Sequence, residues 1–267
     1  MVNLTIDGIP VSAPEGTTIL NAAKTVGVVL PTLCYMKDIN DTGACRICVA
    51  EIEGRQKLVT TCNTPVSEGM VVMTNSPRAR TARRVNVQLI LSQHDCNCPT
   101  CIRSTYCSLQ KIANDLGIIS QPYNKEVPDK AWDMTFPLIK DDSKCIKCMR
   151  CIQVCNKVQS IGVWGLQNTG SRTTIGVTGD REIAESDCVL CGQCITHCPT
   201  GALSERDDVM KAFRALANPD LITVVQIAPA VRAAWGESLG ISREFATVKR
   251  LVAALRGHEG PITDIAF

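Results

Sequence analysis

The residues equipped for chemistry in this chain are thiols. Sixteen cysteines stand against three histidines in 267 residues, and they fall in four groups of four. The groups are Cys34, Cys45, Cys48 and Cys62; Cys96, Cys98, Cys101 and Cys107; Cys145, Cys148, Cys151 and Cys155; and Cys188, Cys191, Cys194 and Cys198. None follows Cys198. Thiolates are soft ligands for iron and zinc, so four clustered groups read as four metal sites.

The last two groups have the most specific spacing. Cys145-x2-Cys148-x2-Cys151-x3-Cys155 and Cys188-x2-Cys191-x2-Cys194-x3-Cys198-Pro199 are two copies of the bacterial ferredoxin run. In that run the fourth cysteine ligates the other cluster. The spacing therefore assigns Cys145, Cys148, Cys151 and Cys198 to one [4Fe–4S] cluster, and Cys188, Cys191, Cys194 and Cys155 to a second. Structural zinc sites use two C-x2-C knuckles separated by a longer loop, which fits these runs poorly. Between the copies, Thr173–Asp180 reads as strand then turn.

The first group, Cys34-x10-Cys45-x2-Cys48-x13-Cys62, lies in a segment rich in strand and turn signals. Val2, Leu4 and Ile6 alternate, Asp7-Gly8 turns the chain, and Ile9 and Val11 continue a hairpin. Thr17 or Thr18 caps a short helix through Ile19, Leu20, Ala23 and Val26. The spacing suits a [2Fe–2S] cluster but leaves zinc open, because its first gap exceeds the plant-type one. The second group also leaves two donor sets open. One is His94 with Cys98, Cys101 and Cys107, leaving Cys96 spare; the other is all-thiolate, using Cys96.

The elements that must position these groups are partly legible. Ser76 and Pro77 open a helix that delivers His94. Its Arg78, Arg80, Arg83 and Arg84 read as a solvated face, or as a docking patch for an acidic redox partner. His197 is expected at the surface beside Cys198, and Trp164 and Trp235 as packing. Beyond residue 208, a strand over 221–227 leads to a helix with Pro229 in its first turn. A second helix has Ser242 as cap, carries Phe245, Val248, Leu251, Val252 and Leu255 on one face, and stops at Gly257. Residues 262–267 read as another strand.

Composition narrows the function classes. A balance of 28 Lys+Arg against 26 Asp+Glu lacks the basic footprint of a nucleic-acid binder. No apolar run approaches the roughly 20 residues of a membrane helix. The thiol count in a chain of this length does not suggest a small disulfide-stapled secreted scaffold. With no leader pattern at Met1–Thr5, the expectation is a reduced, cytoplasmic protein with no membrane association. No G-x-G-x-x-G, P-loop, H-E-x-x-H or G-x-S-x-G motif occurs, so a nicotinamide and its flavin, if involved, are expected on another subunit.

The four groups, in this order, resemble the N-terminal electron-input region of iron–iron hydrogenases, the large iron–sulfur subunit of respiratory complex I, and some NAD-linked formate dehydrogenases. The stretch His94-Asp95-Cys96-Asn97-Cys98-Pro99-Thr100-Cys101, with Cys107-Ser108-Leu109-Gln110, is similar to that family's segment with one histidine and three cysteine ligands. The resemblance implies His94, Cys98, Cys101 and Cys107 as ligands of a [4Fe–4S] cluster. It also implies Cys34, Cys45, Cys48 and Cys62 as [2Fe–2S] ligands in a β-grasp domain. It covers about residues 1–205. Ile222–Arg232 and Ala246–Leu255 resemble the opening of the hydrogenase catalytic domain.

The implied architecture is α+β and multi-domain. It comprises a β-grasp [2Fe–2S] domain over 1–76, a small helical His-and-Cys-ligated [4Fe–4S] domain over 77–137, a bacterial-type 2[4Fe–4S] ferredoxin domain over 138–208, and a short C-terminal βα fragment over 209–267. The load would be one [2Fe–2S] and three [4Fe–4S] clusters, about 14 Fe in all. The implied role is an electron-transfer subunit, not catalytic alone, of a flavin-containing NAD(P)-linked complex. It is most similar to the iron–sulfur subunit of electron-bifurcating transhydrogenases built on the hydrogenase plan. Partners would be a flavin- and nicotinamide-binding subunit, a small thioredoxin-like [2Fe–2S] subunit and ferredoxin. The alternatives are the electron-input half of a split or truncated iron–iron hydrogenase and, from another class, an iron–sulfur redox sensor or cluster scaffold. With no cysteine after Cys198, the chain is not expected to turn over hydrogen by itself.

Overall fold

The computed structural model describes residues 1–128, 130–237, 239–256 and 262–266. They form two compact units, one from Met1 to Arg206 and one from Asp207 onward. Among the described residues no helix is long and apolar enough to cross a membrane.

The first unit opens with the hairpin of β1 (Val2–Ile6) and β2 (Ile9–Ala13). Asp7 and Gly8 both take positive φ at the turn, as a two-residue hairpin loop requires. The Asp7 carboxylate accepts from the backbone N–H and hydroxyl of Thr74, at 2.7 and 2.5 Å. Helix α1 (Ile19–Thr25) starts at Thr18, whose hydroxyl accepts from the Asn21 N–H, so Thr18 rather than Thr17 is the cap. Strands β3 (Val49–Ile52), β4 (Val59–Thr60) and β5 (Val71–Met73) complete a five-stranded sheet in the order β2-β1-β5-β3-β4. Only the β1–β5 pairing is parallel. Ile19, Leu20, Ala22 and Ala23 of α1 are fully buried in the same core as Leu4, Ile6, Val11 and Val72.

Helix α2 (Pro77–Ser92) has Ser76 as cap and Pro77 in its first turn, and it leads directly to His94. Its arginines do not form the common face expected. Arg83 is buried, and its guanidinium donates to the carbonyls of Ile47, Val49 and Thr74 at 2.8–3.0 Å. It ties α2 to the thiol loop before β3. Arg78 pairs with Glu51, Arg84 donates to the Leu116 carbonyl, and Arg80 is exposed. Helix α3 (Ser108–Asp115) follows.

The ferredoxin-like part pairs β6 (Leu138–Lys140) with β9 (Leu203–Glu205), bracketing both cysteine runs. Between them lie α4 (Arg150–Gln153), continued by a wider turn over Val154–Val158, and α5 (Gln193–His197). The insertion between the runs forms the hairpin of β7 (Trp164–Gln167) and β8 (Thr174–Val177). Trp164 is 2% exposed and stacks on Trp132 with centroids 5.9 Å apart.

The second unit contains α6 (Val209–Ala217), β10 (Thr223–Gln226), α7 (Pro229–Ala234), α8 (Val248–Arg256) and β11 (Ile262–Ala266). Strands β10 and β11 pair in parallel. Helix α8 starts later than the sequence suggests. The Thr247 hydroxyl accepts from Arg250 N–H, while the Ser242 carbonyl accepts from Phe245 and Ala246 N–H in a separate turn. The Arg250 guanidinium lies 3.4 Å over the Phe245 ring, holding that turn against the helix. The expected stop at Gly257, His258 and the last strand residue, Phe267, lie outside the described residues.

Candidate metal centres

Cys34, Cys45, Cys48 and Cys62 are all buried, at 0–7% exposure. They come from three separate loops, brought together because β3 and β4 pair between Cys48 and Cys62. Arg46, between Cys45 and Cys48, is left-handed, so the chain reverses sharply within the C-x2-C. The Thr61 hydroxyl donates to the Cys48 carbonyl at 2.8 Å, and Asn86 of α2 donates to the Arg46 carbonyl at 2.6 Å. A Cβ on Gly43 would meet the Asn63 amide at 3.0 Å, so this loop packs without spare room. The sulfurs interact in pairs. The hydrogen bond from the Cys34 thiol holds Cys45 down to about 6 and drives Cys34 far above the ordinary thiol range. That from Cys62 does the same for Cys48, again to about 6, and raises Cys62. Two thiolates are thus already favoured near neutral pH, as metal ligation requires.

In the second group, His94 is 7% exposed and its Nδ1 is buried with no hydrogen-bond partner among the described residues. Burial pushes its imidazole below the ordinary value, favouring the neutral form that ligates metals. Cys96 is exposed, and its thiol donates to the His94 carbonyl at 3.4 Å. Cys98 and Cys101 flank a single turn, and Cys107 caps α3 by accepting from Gln110 N–H. Thr105, a β-branched residue, is left-handed between Cys101 and Cys107, an uncommon conformation that concentrates at functional sites. This loop is pinned to the ferredoxin-like part. The Arg103 guanidinium donates to the Ile195 carbonyl, and Ser108 N–H to that of Pro199. A Cβ on Gly201 would sit 2.7 Å from the Cys101 sulfur, so only glycine permits that approach.

The two ferredoxin-type runs line two cavities. One, of about 260 Å³, is lined by Cys155, Cys188, Cys191 and Cys194, with Leu138, Val154, Ile161 and Trp164. The other, narrower, is lined by Cys145, Cys148, Cys151 and Cys198, with Lys140, Arg150, Ile175, Leu203 and again Trp164. Each run therefore sends its fourth cysteine to the other run's cavity, and one indole forms a wall common to both. The backbones repeat as well. Lys147 and Met149 in the first run, and Leu190 and Gly192 at the equivalent positions of the second, all have positive φ. Burial pushes Cys148 up to about 12, Cys151 well above the thiol range and Cys194 up to about 11.

These donor sets fit an inorganic core better than a single ion. The sulfurs of the two ferredoxin-type runs ring largely apolar spaces, and one buried imidazole nitrogen is unpartnered. Several residues at these sites escaped the sequence. Lys140 and Asp142, both about 5% exposed, form a buried ion pair, and its Lys140 lines the Cys145 cavity. Asn40 and Arg150 join the first thiol loop to that cavity. His197 is partly buried, with Nδ1 against the Gln193 carbonyl at 2.8 Å.

Comparison with known proteins gives the same three-part order. Residues 1–77 match a 2Fe-2S iron-sulfur cluster binding domain, 83–122 the NADH-ubiquinone oxidoreductase-G iron-sulfur binding region, and 144–202 a 4Fe-4S dicluster domain. The NADP-reducing hydrogenase subunit HndD of Solidesulfovibrio fructosivorans is 44% identical over 262 residues, covering 96% of this chain and 45% of that one. This chain belongs to the hydrogenase and complex I iron–sulfur family. Its members also include the NADPH-Fe(3+) oxidoreductase subunit alpha of Geobacter sulfurreducens, 36% identical over 82% of this chain and 25% of its own. The mitochondrial NADH-ubiquinone oxidoreductase 78 kDa subunit of Neurospora crassa is 35% identical over 80% of this chain and 28% of its own. The chain thus spans less than half the length of these family members. A solved NAD+-reducing [NiFe]-hydrogenase in the H2-reduced state superposes with TM-score 0.71 at 25% identity, over 77% of this chain and 87% of that one.

Proposed function

We propose that the chain is a multi-cluster electron conduit of an NAD(P)-linked oxidoreductase. The observation that carries this reading is the crossed arrangement of the two ferredoxin-type cavities around one indole wall. In this reading Cys34, Cys45, Cys48 and Cys62, on the β-grasp-like sheet, hold a [2Fe–2S] cluster. His94, Cys98, Cys101 and Cys107 hold one [4Fe–4S] cluster, Cys145, Cys148, Cys151 and Cys198 a second, and Cys155, Cys188, Cys191 and Cys194 a third. Such clusters supply one-electron exchange with little change in geometry. The protein's part is to keep the donors ionised, dry and fixed. The paired thiols of the first set supply thiolates, the largely apolar walls of the ferredoxin-type cavities limit water at the inner ligands, and Val163 N–H donates to the Cys155 sulfur at 3.4 Å, the kind of bond that tunes potential.

The flavin and nicotinamide sites are assigned to a partner subunit, with a small thioredoxin-like [2Fe–2S] subunit and ferredoxin as further partners, in a cytoplasmic, electron-bifurcating transhydrogenase-type complex. A second assembly is favoured by one observation: the alignment with the hydrogenase subunit covers 96% of the chain and so runs through the C-terminal unit. In that assembly the same conduit feeds a hydrogenase centre.

The anaerobically loaded chain is expected to carry about 14 Fe and to show one [2Fe–2S] and three [4Fe–4S] signals that titrate reversibly. Irreversible cluster loss on mild oxidation, or transfer to an apo-protein, would overturn the conduit in favour of a sensor or scaffold. Native mass spectrometry of the complex from its host then separates the two assemblies by whether a chain with a hydrogenase catalytic centre co-purifies.

A further inference from the structure

Asn40 carries neither a titratable group nor a sulfur, yet it joins two of the candidate centres. It is 1% exposed. Its Nδ2 donates to the Cys34 carbonyl at 2.8 Å and to the Cys148 carbonyl at 2.9 Å, across 108 positions of sequence. Both partners are carbonyls, which only accept, so the amide nitrogen must face them and the orientation of the amide is chemically determined. Its Oδ1 is then left buried without a partner among the described residues. An unpaired buried acceptor is costly, so the two bonds on the other side of the amide are retained at a stability penalty.

The surrounding loop is shaped to present that amide. Met36 and Asn40 exchange backbone hydrogen bonds at 2.8 Å, and Asp38 between them is left-handed. Arg150, two residues after Cys148, donates back to the carbonyls of Cys34 and Tyr35 at 3.3 and 3.0 Å. Cys34, Cys45 and Cys148 also share one apolar cluster with Ile47 and Val87. The β-sheet module and the first ferredoxin-type run therefore meet at ligand-bearing loops, and a single nitrogen atom bridges the carbonyls of one candidate ligand from each.

We propose that Asn40 is a positioning residue that locks the Cys34 and Cys148 loops together, so that the [2Fe–2S] site and the first [4Fe–4S] site act as one coupled redox unit. This rests on the conduit reading, which supplies the clusters. Without the amide, the Cys148 carbonyl loses this donor, the Cys34 carbonyl keeps only the 3.3 Å bond from Arg150, and the loops are tied through Arg150 alone.

The test uses the full chain, loaded anaerobically, as parent, Asn40→Leu, Asn40→Ser and the control Thr74→Val, which removes a buried hydroxyl elsewhere in the sheet module. Iron content, the spin–spin interaction between the reduced [2Fe–2S] and its neighbouring [4Fe–4S] cluster, and amide exchange are measured on each. Asn40→Leu is expected to keep its iron but lose the spin–spin interaction. Its Ile39 and Asn40 amides should exchange about thirtyfold faster, the effect of two lost hydrogen bonds. Asn40→Ser, with one donor, should fall between, and Thr74→Val should match the parent. Full iron with unchanged interaction and exchange in Asn40→Leu would overturn the proposal. If that variant does not retain iron, Asn40→Ser decides: a weakened interaction supports the clamp and an unchanged one sinks it. A parent chain lacking both cluster signals would instead sink the conduit reading itself.

Discussion

The two ferredoxin-type runs share a spacing and a backbone, yet they sit in different surroundings. The first lies deep: Cys148 and Cys151 are buried, and two basic residues, Lys140 and Arg150, are among those lining its cavity. The second is open: Cys191 is exposed, Val189 and Leu190 beside it are 64% and 52% exposed, and among the described residues the only charged one lining its cavity is Glu205. The same ligand pattern thus gives one interior site next to the Cys34 loop and one site at the surface with an apolar rim. Spacing decides what is bound. The neighbours decide how strongly charge is stabilised and what can reach it.

The crossing of fourth cysteines gives the largest expected effect. Cys155→Ser should remove the cluster of the second run, although Cys155 lies in the first, and Cys198→Ser should remove that of the first run. Each variant is expected to lose about 4 of about 14 Fe, and site-resolved Mössbauer or EPR spectra would show which signal disappears. Loss of the signal belonging to the mutated residue's own run would break the crossed assignment.

Removing iron sharpens the contrast through pH, with the first thiol set as a third case. In the metal-free chain Cys45 and Cys48 sit at about 6, against an ordinary value of 9.0. Between those values the folded pairs have each released a proton that the unfolded chain keeps, so their stabilisation is present at pH 9 and lost as pH falls through 6. Cys148, Cys151 and Cys194 are raised by burial. Their stabilisation is full below 9 and lost as pH rises toward 11–12. Thermal melts of the metal-free chain should therefore improve from pH 6 to 9 and worsen above it. A profile flat over both ranges would contradict the thiol environments described.

Charge makes a smaller difference. Lys140→Met combined with Asp142→Asn removes the buried pair whose lysine lines the first cavity. It should lower the midpoint potential of that cluster by on the order of tens of millivolts and leave the second run unmoved. Equal shifts at both would mean that the variant disturbs the shared wall rather than one cavity. The smallest expected effect is Gly192→Ala. The φ of +70° at Gly192 is strained for any side chain even though no atom would clash, so a loss of about 1 kcal/mol is expected from denaturation of the metal-free chain.

Periodicity and spacing carried much of this architecture. The β1–β2 hairpin, the Ser76–Pro77 helix start, strand β8 with the turn after it and the cysteine runs are local patterns, and local patterns are written in consecutive residues. Arg83 was misread for a physical reason. A helix pattern assigns arginine to solvent, whereas here the carbonyls of Ile47 and Val49 at the start of β3 and of Thr74 just after β5 offer buried acceptors that no local signal announces. Asn40 was invisible because its second partner lies 108 residues away. His94 and Cys96 have equally suitable spacing, and only burial distinguishes them, with the imidazole inside and the thiol outside. The late start of α8 at Thr247 reflects two hydroxyl residues competing for one cap, which sequence does not rank.

The repeated backbone handedness has a consequence for anyone grafting these loops into another scaffold. Lys147 and Leu190 share no side-chain property, nor do Met149 and Gly192, yet each pair adopts the same left-handed turn. Similarity scores that compare residue types see nothing at these positions. A transplanted run that kept its cysteines but placed β-branched residues there would carry the ligands and lack the path that aims them.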